Sequence, residues 1–251
     1  MNGELFSTVP IADWAAMFML VIARLSPIIF LMPGIGEQVI PVRMRLQALI
    51  ALAFIFTISG LMQPVVFYPF GTYLGLLIGE IFFGLILGFS LRIVIWVLSI
   101  AGSVIAQSIG ISQMLGVAME NESQALTSNI LTMAGAVVLL SANFHVYAFA
   151  SFADLYSDVP IGQVGNFDYA YLSANLFQAF NFAVLLAWPF IAINLLYNIC
   201  LGFINKALPQ LMVAFVGAPF MVGAGMLLLT IALTSLLLAW QSRTAQLIGW
   251  M

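Results

Sequence analysis

Three charged residues lie inside long apolar runs of this sequence, where charge is costly. Arg24 is central in the first run, and Glu80 and Arg92 lie in the third. An arginine at the centre of a membrane helix costs about 2.5–3.5 kcal/mol on insertion scales. Such a residue is by default a functional or partner-binding candidate. We expect Arg24 to bond carbonyls or a carboxylate, either as structure within an assembly or as part of a site.

The two other charges cannot satisfy each other along one helix. Glu80 and Arg92 are twelve residues apart, which is more than three helical turns. Each therefore needs another partner, in this chain or in a neighbouring one.

Catalytic patterns are missing from the sequence. Glu80 supplies one carboxylate and not a pair, and the stretch from Gly110 lacks the second glycine of a nucleophile elbow. The sequence has no phosphate loop and no paired-histidine metal motif. His145 fits a polar residue at the end of a span, and Cys200 fits packing. We predict no enzymatic activity, no cofactor and no metal.

Composition places the chain in the membrane. Of 251 residues, 64% are hydrophobic and 6% are charged, against roughly 25% charged in soluble domains. Whole runs are apolar on every side, which favours helices over the alternating strands of a barrel. The net charge of −3 gives no electrostatic basis for binding nucleic acid.

Runs of about 20 apolar residues predict membrane spans. We predict one all-α domain, residues 1–251, with about six long, kinked helices, near 14–32, 46–62, 70–107, 126–149, 171–200 and 211–240. The first has no basic segment before it, so we expect a mature helix and not a cleaved signal. The third would measure about 55 Å and must kink, fold back or leave the membrane. With six spans, Arg43, Arg45 and Lys206 share one side, which the positive-inside rule makes cytoplasmic.

Glycines at four-residue spacing mark two stripes of bare backbone, where another helix can approach closely. We expect helix packing at these positions, with a neighbour from this chain or another: Gly71, Gly75, Gly79, Gly84 and Gly88.

Residues 108–124, SIGISQMLGVAMENESQ, are too polar to span a bilayer and too apolar for a solvated loop. By themselves these residues favour a re-entrant loop packed in an assembly.

Three segments in order resemble the FliR family of flagellar biosynthetic proteins. They are IARLSPIIFLMPGIGEQVIPVRMRLQALIALA (22–53), GEIFFGLILGFSLRIVIWVLSIAGSVIAQSIG (79–110) and PFIAINLLYNICLGFINKALPQLMVAFVGAPFMVGAGM (189–226). The most specific positions are Arg24, Pro27, Pro33, Pro41, Arg43, Lys206, Pro209 and Gln210.

The resemblance implies a subunit of the type III protein export gate in the bacterial inner membrane, at the flagellar basal body. One such chain assembles with FliP- and FliQ-like subunits around a channel for unfolded proteins, next to FlhB- and FlhA-like proteins. Residues 1–165 would be FliP-like, residues 170–251 a FliQ-like hairpin, and Lys206, Pro209 and Gln210 a cytoplasmic turn.

The resemblance also implies that the segment after the third apolar run plugs the channel. Methionine fills irregular gaps, glycine permits bending, and apolar constrictions exclude water. The expected plug residues are Ile109, Gly110, Ile111, Met114, Leu115, Gly116 and Met119.

Three other functions stay open at this point. The homologous subunit of a virulence secretion system is similar to the same segments. A secondary transporter would use helices broken near Pro189 and Pro219, with Arg24 or Glu80 at an ion. A structural scaffold would tolerate deletion of the segment 108–124.

Overall fold

A computed structural model of the chain describes residues 11–37, 39–59, 69–110, 120–166, 170–207 and 213–248. These residues form helices and contain no strand, which confirms the predicted all-α membrane fold. The α-helices are α1 Ile11–Leu31, α2 Val42–Ile58, α3 Phe70–Ile109, α4 Glu120–Ser141, α5 Phe144–Asp158, α6 Ala170–Ala207 and α7 Val213–Ile248, with a short 3-10 helix at Val164–Asn166.

Helix α1 follows the predicted first span closely. Asp13 lies in its first turn, where a negative charge complements the helix dipole. The helix ends at Leu31, before the predicted stop at Pro33. Gly34 then adopts φ +83°, a left-handed conformation that suits glycine. Helix α2 begins after Pro41 and packs against α1.

Helix α3 resolves the over-long third run. It is continuous over 40 residues, about 60 Å at 1.5 Å per residue. Of the three predicted solutions, folding back is therefore wrong. The helix is about twice as long as a hydrocarbon core of roughly 30 Å.

The fourth predicted span is broken in the structure. Helix α4 ends at Ser141, α5 starts at Phe144, and their axes differ by 67°. Asn143 joins them with φ +56°, and asparagine is one of the few residues that adopts this conformation readily. The predicted apolar run over 126–149 therefore corresponds to two helices that are bent at Asn143.

Within the described residues, four helical stretches are long and apolar enough to cross a membrane: Ile11–Leu31, Phe70–Ile109, Ala174–Ala207 and Gly217–Thr244. The bent pair α4–α5 would make a fifth. The predicted second span is α2, which has 17 residues and so lies at the short limit for crossing. The six-span topology and its cytoplasmic side stay predictions.

The chain forms two compact units, each assembled from separate segments. Unit 1 contains Met1–Arg92, Leu139–Ser173 and Ile248–Met251, and unit 2 contains Ile93–Val138 and Ala174–Leu247. Buried residues of unit 1 include Leu20, Leu25 and Phe83, and those of unit 2 include Leu98, Ile109 and Trp240. The predicted FliP-like and FliQ-like parts are contiguous segments and stay a prediction.

Helices α6 and α7 leave most of their apolar side chains uncovered. In their most apolar windows only 17% of residues are buried, against 50% in α1 and 61% in α3. Phe177, Phe203, Phe220 and Ile231 are each at least 70% exposed. Since a water-facing surface of this kind is unfavourable, these faces require lipid or another subunit.

Candidate functional site

A buried ion pair joins α1 to α3 in unit 1. Arg24 Nε lies 2.5 Å from Glu80 Oε2, and Arg24 Nη2 donates to Glu80 Oε1 at 3.1 Å. The two side chains are 2% and 0% exposed. This is the forked geometry in which a guanidinium grips a carboxylate with two parallel bonds. The carboxylate alternative expected for Arg24 is present within the chain.

The turn after α5 binds both members of the pair. Arg24 Nη1 donates to the backbone carbonyl of Val159 at 2.9 Å, and the Gly162 N–H donates to Glu80 Oε1 at 2.8 Å. Gly162 has φ +85°, which a side chain would strain. Three segments that are distant in the sequence, namely α1, α3 and the turn after α5, therefore meet at the buried ion pair.

Two aromatic rings enclose the guanidinium. The Cζ atom of Arg24 lies 4.9 Å from the ring centre of Phe83 and 4.5 Å from that of Tyr156. A cation over a ring is worth about 2 kcal/mol or more when desolvated. The Tyr156 ring in turn packs against Phe56, with 5.7 Å between the ring centres.

The pair suits a structural role better than a chemical one. Taking two charges out of water costs several kcal/mol each, which excellent geometry and additional hydrogen bonds must offset. Here both carboxylate oxygens and all three guanidinium nitrogens have partners. The Glu80 carboxylate therefore has no oxygen free to act as a general base or to bind an ion.

Arg92 pairs elsewhere in unit 1, with an acid that the sequence reasoning missed. Its Nη1 lies 2.6 Å from Glu37 Oε1, and the side chains are 23% and 31% exposed. The signal that could have revealed it is a lone carboxylate just after the Pro33-Gly34 stop. Arg45 anchors the same loop, since it donates to the carbonyls of Ile40 and Gly36.

The glycine stripes divide into two kinds of surface. A Cβ added to Gly84 would collide with the backbone carbonyl of Arg24, and one added to Gly88 would lie 2.7 Å from the Pro27 carbonyl oxygen. These two glycines therefore let α3 approach α1 within the chain. Gly79 meets one side-chain atom, Val164 Cγ2, at 3.6 Å.

The remaining stripe is not covered by the described residues. A Cβ on Gly71 or Gly75 would have none of their atoms within 4 Å. Whether a neighbour covers this stripe stays a prediction.

The predicted plug lies mostly outside the described residues. Ile109 is the last residue of α3 and is completely buried, and Gly110 follows with φ +75°. The remaining positions are undescribed, namely Ile111, Met114, Leu115, Gly116 and Met119. Of the predicted cytoplasmic turn, Lys206 is exposed in the last turn of α6, while Pro209 and Gln210 are undescribed.

A buried hydrogen bond in unit 2 was not predicted from the sequence. Trp240 is fully buried, and its indole N–H donates to the Val94 carbonyl at 2.9 Å. Gly135 faces the same indole, since an added Cβ would lie 3.2 Å from its Cη2. Trp240 ends an apolar run, which equally suits a tryptophan at the membrane interface.

Helices α3 and α4 also meet closely in unit 2. The hydroxyls of Ser99 and Ser128 are 2.8 Å apart, and a Cβ on Gly102 would lie 2.7 Å from Ser128 Cα. Small and hydroxyl residues are the usual means of close helix contact in membranes. Across the described part of the chain, no group of three or more His, Cys, Asp or Glu residues could hold a metal.

The chain has several helices long and apolar enough to cross a membrane, and a buried ion pair joins two of them, α1 and α3. These features define a multispan α-helical membrane protein whose buried charges serve its structure. Residues 15–247 match the family model "Bacterial export proteins, family 1". The match covers nearly the whole chain, so the chain belongs to this family.

Relatives identify the branch of the family. The chain is 29% identical over 235 residues to the flagellar biosynthetic protein FliR of Caulobacter vibrioides, covering 91% of this chain and 93% of that protein. It is 28% identical to FliR of Aquifex aeolicus, over 84% and 82% of the two chains, and 24% identical to FliR of Escherichia coli, over 86% and 84%. The resemblance to the FliR family is confirmed, and these relatives are named for flagellar biosynthesis and not for an enzymatic reaction.

Proposed function

We propose that this chain is a subunit of the flagellar type III protein export gate in the bacterial inner membrane. Together with FliP- and FliQ-like subunits it forms the channel through which unfolded flagellar proteins are secreted. The observation that carries the proposal is the family match over residues 15–247. The uncovered apolar faces of α6 and α7 support it, because a subunit of a larger assembly needs such faces.

The proposed assembly holds one copy of this chain. FlhB- and FlhA-like proteins adjoin it on the cytoplasmic side, at the flagellar basal body. The described part of the chain leaves the stripe of Gly71 and Gly75 uncovered, and small residues of this kind allow close approach of a partner helix. We assign it to a contact with another subunit.

Within the gate, we assign the plug to Ile109–Met119. Ile109 anchors the segment, because it is buried, and Gly110 redirects the chain where α3 ends. The apolar residues beyond it would exclude water from the closed channel. Full burial of a side chain of this size contributes roughly 1.5–3 kcal/mol.

The test removes those contacts without touching the packed glycines. Replacing Ile111, Met114 and Leu115 with glycine removes about 4.5–9 kcal/mol if all three are buried. A change of about 5.5 kcal/mol moves a two-state equilibrium from 1:99 to 99:1. We expect membranes carrying the variant complex to leak ions or small dyes, with a normal yield of complex.

The control is a triple variant that keeps the apolar volume: Ile111→Leu, Met114→Leu and Leu115→Met. It should stay as tight as the wild type. A glycine variant that assembles fully and does not leak contradicts the plug. Lost assembly without leakage would instead indicate a packed structural loop.

The named relatives favour the flagellar system over a virulence system. Swimming motility of a strain lacking the gene, with and without the gene restored, separates the two. The secondary transporter needs an open charge at its ion, whereas Arg24 and Glu80 bind each other, which disfavours it.

A further inference from the structure

The end of α3 rests on a glycine of α7 within unit 2. Ile109 has no exposed surface, and its side chain lies against Gly225. A Cβ added to Gly225 would lie 2.7 Å from both Cγ1 and Cγ2 of Ile109 and 3.1 Å from its Cβ. Distances of this kind are far below the ordinary carbon–carbon contact distance of about 3.5–4.0 Å, so Ile109 leaves no room for a side chain at position 225.

Ile109 cannot easily move aside. Isoleucine is branched at Cβ, and in a helix χ1 strongly prefers one rotamer. Both clashing γ carbons are attached directly to Cβ, so their positions follow from the backbone. The backbone is also constrained here, because the Gly110 N–H donates to the carbonyls of Ala106 and Gln107, both at 3.1 Å. A side chain at position 225 therefore displaces the end of α3 itself.

A polar cavity of about 230 Å³ adjoins Ile109. Its polar lining consists of Gln107, Ser108, Asn194, Tyr197 and Asn198. An apolar side chain gains little from the polar part of this lining. The tight contact with Gly225 is one of the contacts that hold Ile109 in place.

We propose that Gly225 is a positioning residue of the gate: its bare backbone is the seat for Ile109, and this seat fixes where the chain leaves α3 in the closed channel. The proposal rests on the proposed function, since it deepens the role of Ile109 there. The contact itself is independent of that role and can be measured separately.

The primary experiment compares two alanine substitutions on α7 in the assembled complex. Gly225→Ala inserts the clashing Cβ, while Gly223→Ala is the matched control, because a Cβ there meets no atom of the described residues within 4 Å. Overpacking of this kind corresponds to roughly a 5- to 150-fold shift in a two-state equilibrium. We expect Gly225→Ala to raise ion leakage within that range, at a normal yield of complex, and Gly223→Ala to match the wild type. Equal leakage from the two variants overturns the proposal.

A second variant tests the contact directly. Ile109→Ala removes both γ carbons, so Gly225→Ala should add no further leakage in that background. Leakage that adds across the two substitutions contradicts a shared contact. Should Gly225→Ala lower the yield of complex, Ile109→Ala must restore it, and a yield that stays low overturns the seat.

The same measurements separate this proposal from the channel proposal. If the triple glycine variant of the plug leaks and Gly225→Ala does not, the seat is wrong and the channel stands. If neither leaks, the channel proposal fails, and the role of the seat in it fails too.

Discussion

Removal of Arg24 should be among the most damaging single changes in unit 1. Arg24→Leu would leave the Glu80 carboxylate fully buried, with the Gly162 N–H as its one remaining donor among the described residues. Breaking a buried pair by removing one partner costs about 3–5 kcal/mol. The contacts with the rings of Phe83 and Tyr156 would be lost as well.

Helix α3 carries a second ion pair that serves as the comparison. Arg92 and Glu37 are 23% and 31% exposed, so breaking this pair leaves a less deeply buried charge than breaking the Arg24–Glu80 pair does. Arg243, which stacks on Phe182 at 5.2 Å and makes no ion pair among the described residues, provides an exposed single-residue control. We expect Arg92→Leu to cost less than Arg24→Leu, and Arg243→Leu to cost about 0.5 kcal/mol or less.

The assay is the thermal unfolding of the purified complex, together with its yield from membranes. A double-mutant cycle with Glu80→Leu isolates the pair, and the variant carrying both leucines should recover part of the loss, because no unpaired charge remains buried. If Arg24→Leu proved as mild as Arg243→Leu, or if the two losses simply added, the reasoning about this pair would be refuted.

Three further outcomes can be checked on the same material. Gly84→Ala should destabilise the complex by about 1–3 kcal/mol, because the added Cβ meets the backbone of Arg24. A smaller loss in the free energy of unfolding would contradict that contact. Trp240→Phe should cost about 0.5–1.5 kcal/mol through the lost bond to the Val94 carbonyl, as a shift in melting temperature would show. The chain expressed alone should aggregate in detergent and become soluble with FliP- and FliQ-like partners, since α6 and α7 leave their apolar faces uncovered. A detergent monomer whose cooperative melting those partners leave unchanged would argue against that expectation.

Composition and turn residues were sufficient to predict most of the helices. The positions of α1, α3, α6 and α7 follow from long apolar runs, and α6 and α7 continue through Pro189 and Pro219, where the transporter alternative required breaks. The stop at Pro33-Gly34 follows from the backbone limits of proline and glycine. The break at Asn143 was not predicted, because neither proline nor glycine marks it and the hydropathy continues through it.

The partners of the buried charges could not be read from the sequence. It showed that Arg24, Glu80 and Arg92 needed partners, because unpaired charge is expensive in a membrane. It could not show that Arg24 meets Glu80, 56 residues away, or the Val159 carbonyl, 135 residues away. Such pairs depend on tertiary packing, which local periodicity does not encode.

Glycine spacing identified surfaces but not their occupants. Gly84 faces α1 while Gly75 meets none of the described residues, although both belong to similar four-residue stripes. Gly225, which receives Ile109, stood in no stripe that the sequence reasoning used.

The central claim is that the chain works as one subunit of an export gate. Its most direct test is to isolate the tagged chain from native bacterial membranes under mild detergent and to identify and count the copurifying proteins by mass spectrometry. The account predicts a stable complex with several FliP- and FliQ-like chains and one copy of this chain. Recovery of the unmutated chain by itself, from a strain that still swims, would contradict it.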